Sequence, residues 1–269
     1  MKIAFIGGGM MGEAMISGLI SQTSAEPGAI TVSDVDQDRL RVLAERHGVE
    51  WVTENRQAIR GKDIVVLSVK PQVLPEVTDS LRGEIQPGQL VVSIIAGARI
   101  ETLSRQLGHD CIVRVMPNTP AQIGEGISVW TATTAVNSAQ KEMAQTTLTA
   151  LGKEIYVADE KYIDMATAVS GSGPAYIFLM IEALIDAAVH IGMPRKMSSE
   201  LVLQTMLGSA RIAEVSGKHP AELRNMVTSP GGTTAAGLLR LEEGGLRAIL
   251  TQAIIAAYEK AKDLGKEQK

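Results

Sequence analysis

The sequence has few aromatic residues and a single cysteine. Phe, Trp and Tyr make up 3% of its 269 residues, so the core has to be built from aliphatic side chains and the 12 methionines. Because Cys111 has no second cysteine to pair with, an intramolecular disulfide is excluded, and the chain suits a reducing, cytoplasmic compartment. Cys111 begins an apolar, strand-like run, which predicts a buried structural thiol.

The sequence also lacks a strong charge excess and a long uninterrupted apolar run. The net charge of -4 gives no electrostatic reason to expect binding to nucleic acid or to an anionic membrane. The first residues do not resemble a signal peptide, because a short apolar stretch turns at once into glycines. The longest uncharged run, Met165 to Ile181, contains Ser, Gly and Pro, and we expect it to fall short of a membrane-spanning helix.

No spacing typical of a metal site or of a hydrolytic triad is present. The histidines are scattered and none lies in a motif, which favours surface or capping roles over metal ligation or base catalysis. They are His47, His109, His190 and His219. The sequence therefore predicts no metal site.

Apolar runs typical of buried strands alternate with helical stretches over the first 160 residues. The pattern predicts strands over 3–6, 30–33, 50–52, 64–69, 90–95 and 112–116, with 127–130 and 154–157 as extensions, and helices over 11–21, 36–47, 100–107 and 138–151. Continuous Val and Ile runs separated by helices indicate a mainly parallel sheet covered on both faces. This is an α/β domain of the Rossmann type.

Strand signals end near residue 160. Beyond it, long apolar stretches at helical spacing predict helices over 162–191, 198–216 and 247–266, the first of them interrupted by SGSGP at 170–174. We therefore place a boundary between a dinucleotide-binding domain, residues 1–160, and an all-helical domain, residues 161–269.

A glycine fingerprint follows the first predicted strand. Gly7, Gly9 and Gly12 form G-x-G-x-x-G between that strand and a helix. The first glycine permits a tight turn, the second lets a pyrophosphate touch the backbone, and the third lets helix and strand pack closely. The phosphates would lie at the positive end of the helix. A structural glycine turn is the alternative, but the context on both sides favours dinucleotide binding.

The end of the second strand predicts how the adenosine ribose is recognised. Asp34 lies where a carboxylate would bind the ribose 2′-hydroxyl and repel a 2′-phosphate, which favours NADH or tolerance of both cofactors. The alternative is that Asp34 or Asp36 caps the following helix. Ser33 and Arg39 remain candidates for holding a phosphate.

Loops that follow other strands supply further candidates for the rim of a ligand crevice. SVKPQ at 68–72 brings Lys70 to this rim, although a solvated surface lysine is the alternative. The small residues of 95–97 end the next strand and suit a cofactor edge. Asn118 and Thr119 form a stiff polar loop between two prolines, with a structural turn as the alternative.

Two strings in the helical part are rich in glycine and hydroxyl groups. In SGSGPAY, glycines that weaken the helix suggest the close approach of a ligand, which Ser170 and Ser172 would face, although a helix crossing would also explain them. SPGGTT, residues 229–234, combines glycines with hydroxyls and can form an anion-binding nest. An ordinary Pro-Gly turn is the alternative.

Five strings, in this order, resemble pyrroline-5-carboxylate reductases over essentially the whole chain: GGGMMGEAM, SVKP, MPNTP, SGSGPAY and SPGGTT. The resemblance implies reduction of the C=N bond of L-1-pyrroline-5-carboxylate by NADPH or NADH, which gives L-proline in the last step of proline biosynthesis. It also implies an N-terminal Rossmann domain and a C-terminal helical domain that interlocks two protomers, often within larger rings.

The resemblance also assigns residues by motif. Cofactor contacts are implied for Gly7, Gly8, Gly9, Met10, Met11, Ser68, Val69, Lys70, Pro71, Ile94, Ile95 and Ala96, and for Asn55 near the adenosine part. Substrate contacts are implied for Ser229, Gly232, Thr233 and Thr234. Several family members have a hydroxyl residue where this chain has Asp34, so the preference between NADH and NADPH stays open.

A protonated imine is already electrophilic, so its reduction needs little acid–base machinery. Our hypothesis is that residues 231–234 provide donors for the substrate carboxylate and that the Thr234 hydroxyl binds the ring nitrogen.

Two other functions are alternatives to this reductase. One is a β-hydroxyacid dehydrogenase, but the helix predicted at 176–191 lacks the lysine typical of that class. The other is a dinucleotide-binding sensor without catalysis, which would leave SPGGTT without a role.

Overall fold

The structure, a computed structural model, describes residues 1–22 and 25–267. Within these residues, eight strands form one sheet: β1 (Ile3–Ile6), β2 (Ile30–Ser33), β3 (Glu50–Val52), β4 (Ile64–Leu67), β5 (Leu90–Ser93), β6 (Ile112–Met116), β7 (Gly126–Ala132) and β8 (Gly152–Tyr156). Their order is β3-β2-β1-β4-β5-β6-β7-β8, and every pairing is parallel except β6 with β7. The predicted mainly parallel α/β fold is confirmed.

Helices cover both faces of this sheet. They are α1 (Met10–Gln22), α2 (Gln37–His47), α3 (Asn55–Ala58), α4 (Leu74–Leu81), α5 (Ile100–Leu107) and α6 (Ser138–Thr149). Alternate residues of the central strands enter two separate apolar clusters: Ile3 and Phe5 lie in one, Ala4 and Ile6 in the other. Burial on both faces explains why these strands are continuous apolar runs rather than alternating ones.

The rest of the chain is helical. Its helices are α7 (Lys161–Ala166), α8 (Gly173–His190), α9 (Arg195–Ser216), α10 (Pro220–Met226), α11 (Thr233–Glu243) and α12 (Leu246–Glu267). The chain divides into two compact units: the first is Met1–Ser172 with Ala256–Lys269, and the second is Gly173–Ile255. The boundary predicted near residue 160, between an α/β domain and an all-helical domain, stays a prediction.

The α-helical pattern is interrupted near SGSGP as predicted, although the chain stays helical there. A π-helical segment, Thr167–Gly171, joins α7 to α8, and the Ser172 amide donates to the Thr167 carbonyl over 2.8 Å. Pro174 is tolerated because it lies in the first turn of α8. The 30 residues from Lys161 to His190 form one helical stretch, and an 18-residue window within it has a mean hydropathy of 1.5, which by length and composition is enough to cross a membrane. The expectation that this run falls short of a spanning helix is thus wrong as far as length and composition go.

The burial predicted for Cys111 is also wrong. Its side chain is only half-buried, because Cys111 precedes β6 instead of lying within it. The Sγ atom lies 3.6 Å from the Ala135 carbonyl oxygen at the edge of the core.

Candidate cofactor and substrate sites

A cavity of about 600 Å³ opens in the first unit, where β1, β2 and β4 end. It is lined by Ile6, Gly7, Gly9, Ser33, Asp34, Val35, Asn55, Ser68, Val69, Lys70, Val73, Glu76 and Val77. The carboxyl ends of parallel strands are where open α/β sheets bind ligands. Three separate predicted segments, the glycine loop, the end of β2 and the SVKP loop, thus meet at one cavity.

The glycine loop is shaped for close approach of a ligand to its backbone. Gly7 has φ of 104°, and a Cβ there would lie 2.8 Å from the Ser68 carbonyl oxygen. A Cβ on Gly12 would lie 2.7 Å from the Gly7 oxygen, whereas one on Gly9 would meet nothing within 4 Å. The loop leads directly into α1, whose first N–H groups lack helical partners. These features fit the pyrophosphate of a dinucleotide.

Asp34 and Arg39 hold the two backbone polar groups of Gly8 in this loop. The Gly8 amide donates to Asp34 Oδ2 over 2.6 Å, and Arg39 Nε donates to the Gly8 carbonyl over 2.6 Å. Asp36, not Asp34, caps α2, because its side chain accepts from the amides of Asp38 and Arg39. The capping alternative therefore applies to Asp36, and Asp34 stays on the cavity wall.

Hydroxyl and amide groups fix the rest of that wall. Ser33 Oγ donates to Asn55 Oδ1 over 2.8 Å, and Asn55 Nδ2 donates to Ser80 Oγ over 3.0 Å. Across the cavity, Ser68 Oγ donates to the Gly7 carbonyl over 2.8 Å. Asn55 is thus held by partners on both sides, and its position near the adenosine part of a cofactor stays a prediction.

Other predicted cofactor residues lie outside the lining. Gly8 is a buried residue of the glycine loop itself, and Met10 is exposed at the start of α1. Met11 and Ile94 pack against the core. The Ile95 side chain is 2% exposed, so only its backbone is left to reach a ligand. Ala96 packs beside Met116, and Pro71 begins a 3-10 turn.

Asn118 has a partner in the next strand, β7. Its Oδ1 accepts from the Ile127 amide over 2.9 Å, which ties the loop after β6 to the start of β7. This contact supports the structural alternative for Asn118, although it leaves the amide nitrogen of that side chain unassigned.

Sequence reasoning missed five residues of the lining: Ile6, Val35, Val73, Glu76 and Val77. Val35 is 96% exposed directly after Asp34, which is an unusual position for an apolar side chain. The last three lie in or next to α4, a helix that was not predicted. The spacing of Val73 and Val77, four residues apart, is the signal that could have placed both on one helical face.

Ser170 and Ser172, predicted to face the substrate, belong to the first unit. Ser170 Oγ donates to the Ala166 carbonyl over 3.0 Å, within the π-helical segment. A Cβ on Gly171 would lie 3.3 Å from Met116 Sδ. Gly171 thus faces a side chain of β6 rather than a crossing helix, and π-helical segments are frequent at functional sites.

The SPGGTT string belongs to the second unit and ends in a helix N-terminus. Gly231 has φ of 72°, and the Gly232 amide donates to the Ser229 carbonyl over 3.0 Å. Gly232 is the N-cap of α11, and Thr233 and Thr234 are its first two residues. The first turn of α11 contains no acidic residue, and Gly232 offers no side chain to cap it. Free N–H groups beside two hydroxyls suit a carboxylate ligand.

The second unit exposes many apolar side chains. No residue of α8 is buried, and Phe178 and Leu179 are 62% and 65% exposed. Ile212 and Val215 of α9 are exposed as well. Exposed apolar surface of this extent marks an interface.

Among residues 1–22 and 25–267, no group of three or more His, Cys, Asp or Glu side chains is placed to hold a metal.

Two family models match this chain. The model described as pyrroline-5-carboxylate reductase dimerisation matches residues 160–264, and the one described as NADP oxidoreductase, coenzyme F420-dependent, matches residues 2–97. The first match contains α8 and α9, the helices with these exposed apolar side chains.

Similar proteins cover nearly the whole chain. A pyrroline-5-carboxylate reductase of Methanosarcina acetivorans is 42% identical over 99% of this chain and 98% of its own length. One from Arabidopsis thaliana is 39% identical over 98% and 95%. A crystal structure of the Plasmodium falciparum pyrroline carboxylate reductase with NADP bound superposes with a TM-score of 0.91, at 34% identity and 98% coverage of both chains.

Proposed function

The chain belongs to the pyrroline-5-carboxylate reductase family, and on that premise we propose which of its residues carry out the reaction. It is an NAD(P)H-dependent oxidoreductase that reduces the C=N bond of L-1-pyrroline-5-carboxylate to give L-proline, the last step of proline biosynthesis. Neither alternative function is supported: α8 contains no lysine for a β-hydroxyacid dehydrogenase, and a sensor without catalysis is not the activity of this family.

The cavity of the first unit is the proposed cofactor site. When bound there, NAD(P)H supplies the hydride. Residues 7–12 would hold the pyrophosphate through backbone N–H groups and the N-terminus of α1. Asp34 and Asn55 would face the adenosine ribose, and the loop 68–71 would form the opposite wall. The meeting of these segments at one cavity supports this assignment.

The N-terminus of α11 is the proposed carboxylate site of the substrate. The amides of Thr233 and Thr234 would donate to the carboxylate, assisted by the exposed hydroxyl of Ser229. Gly232 keeps this end open, because a Cβ there would lie 2.5 Å from Ser229 Oγ. The uncapped first turn of α11, without an acidic residue, is the observation that carries this assignment.

Thr234 is the proposed catalytic residue. Its half-buried hydroxyl would hydrogen-bond the ring nitrogen, which changes from an imine to a secondary amine during the reaction. Such a bond would orient the imine carbon without placing a charged side chain beside the ring nitrogen. Ser170 and Ser172 are proposed as further polar contacts of the substrate.

Replacing Thr234 with valine should lower kcat/KM for pyrroline-5-carboxylate about 10–100-fold. The change keeps the side-chain shape and removes one directed hydrogen bond, worth roughly 1.5–3 kcal/mol in the transition state. The loss is measured as absorbance of the reduced nicotinamide at saturating cofactor. Thr251→Val is the matched control, since that exposed hydroxyl only donates to the Arg247 carbonyl. Unchanged kinetics in Thr234→Val would rule out the assignment.

The chain forms a dimer through its dimerisation segment. We propose that residues 1–160 and 161–269 are the functional domains. We also propose that the apolar face of α8 forms part of the dimer interface rather than crossing a membrane, and that the enzyme is cytoplasmic.

Dimers are further proposed to assemble into a ring. Light scattering should then give a mass well above twice the 28.6 kDa of one chain, whereas a mass of two chains would leave the dimer as the final state.

A further inference from the structure

Asp34 places a negative charge on the cavity wall where the two nicotinamide cofactors differ. NADPH carries a phosphate at the 2′ position of its adenosine ribose, and NADH carries a hydroxyl there. Asp34 Oδ1 accepts from the Asp36 amide over 3.0 Å, while Oδ2 accepts from Gly8. The carboxylate is therefore fixed at the end of β2 by two backbone donors. It can accept from a hydroxyl, but it repels a phosphate.

Arg39 is the cation that would be expected to relieve this repulsion. The structure commits two of its three nitrogens elsewhere: Nε donates to the Gly8 carbonyl, and Nη2 donates to Glu13 Oε2 over 2.5 Å. Its side chain is 26% exposed, so it lies against the protein rather than extending into solvent. Val35, the residue directly after Asp34, offers no polar group.

Glu13 keeps Arg39 in that position. It lies in α1 and also accepts from Arg46 Nη1 over 2.6 Å, with His47 Nε2 at 3.1 Å from the same oxygen. Burial would raise the pKa of Glu13, but hydrogen bonds from Arg39, His47 and Arg46 outweigh it and lower the pKa to about 2. Glu13 is therefore ionised at neutral pH, and its pairing with Arg39 persists there.

We propose that Asp34 and Glu13 together make this enzyme select NADH over NADPH. Asp34 repels the 2′-phosphate directly. Glu13 acts at a distance as a positioning residue, because it retains the guanidinium that would otherwise neutralise that phosphate. The proposal rests on the proposed cofactor site, and it adds which cofactor that site favours and why.

The test is equilibrium binding of NADH and NADPH, followed by fluorescence of the reduced nicotinamide without imine substrate. The unmodified enzyme should bind NADH at least about tenfold more tightly. Asp34→Ser should tighten NADPH binding about tenfold and weaken NADH binding. Glu13→Gln should tighten NADPH binding about threefold and leave NADH binding within about twofold. The double variant should favour NADPH more than either single variant does.

Asp38→Asn is the matched control for net charge. Asp38 lies on α2 as well, but it pairs with Arg41 on the exposed surface, so the ratio of the two dissociation constants should not move. Equal affinities in the unmodified enzyme would overturn the proposal, as would an Asp34→Ser ratio no different from that of Asp38→Asn. An unchanged ratio in Glu13→Gln would overturn the role of Glu13.

This test separates the proposal from the proposed function. Turnover of pyrroline-5-carboxylate tests the function, and the ratio of dissociation constants, which needs no substrate, tests the selection. An enzyme that binds NADH selectively but fails on the imine would leave the inference standing, whereas failure to bind either cofactor would contradict both.

Discussion

Replacing Gly7 with alanine is expected to weaken NADH binding by about 100-fold or more. Gly7 has φ of 104°, a conformation that costs a residue with a Cβ about 1–3 kcal/mol. The new methyl group would also lie 2.8 Å from the Ser68 oxygen and 2.9 Å from Val69 Cγ1. Since about 2.8 kcal/mol corresponds to about 100-fold in affinity, strain of this order displaces the loop far enough to lose the cofactor.

Alanine substitutions at two other glycines serve as controls for the Gly7 prediction. Gly28 and Gly9 each have open space where a Cβ would lie, and neither has a positive φ. Gly28→Ala should leave both thermal stability and NADH affinity unchanged. Gly9→Ala should keep the stability but weaken NADH binding, because the methyl group would occupy the path of the pyrophosphate. A Gly7→Ala variant that binds NADH within about threefold of the original enzyme would contradict the proposed loop.

Replacing Asp164 with alanine is expected to destabilise the protein by about 3–5 kcal/mol. Asp164 accepts from Arg114 Nη2 over 2.7 Å, and the Arg114 side chain is 1% exposed in β6. Without Asp164, this buried guanidinium keeps only Glu160, which is bonded to Nη1 over 2.7 Å and also accepts from the Ile100 amide. For a chain of this size the expected loss lowers the melting temperature by on the order of 10 °C.

Two matched variants test whether the unpaired charge of Arg114 causes this loss of stability. Asp159→Asn removes a carboxylate that lies close in sequence but is exposed and paired with Lys161, so its melting temperature should not change measurably. The double variant Arg114→Met with Asp164→Leu removes both charges and should recover most of the loss, because no buried charge is left unpaired. If the single and double variants melt at the same temperature, an unpaired Arg114 is not the cause.

The sheet was predictable because its strands are buried on both faces. Ile3–Ile6, Ile30–Ser33 and Ile112–Met116 have the predicted bounds, since each is a fully buried run that ends just before a turn residue. Helix α4 was missed because Leu74–Leu81 is short and contains Pro75 at its start and polar residues along its length. The antiparallel pairing of β7 depends on long-range contacts that local spacing does not reveal.

The cofactor site was more predictable than the substrate site. The glycine loop and the SVKP loop follow strands, and the topology of a parallel sheet brings such loops together. The partners of Asp34 and Arg39 are side-chain and backbone contacts across 26 and 31 residues, which a sequence does not show. The SPGGTT string predicted donors for an anion, and its place at the N-terminus of α11 was not foreseen.

The sparse interior of the second unit ties its stability to the dimer. Helices α8, α9, α10 and α11 have one buried residue between them, Ser198. A single chain thus gives these helices almost no core, and in the proposed dimer a second chain would supply the missing apolar contacts. The stability of the second unit is then expected to rise with the concentration of the protein.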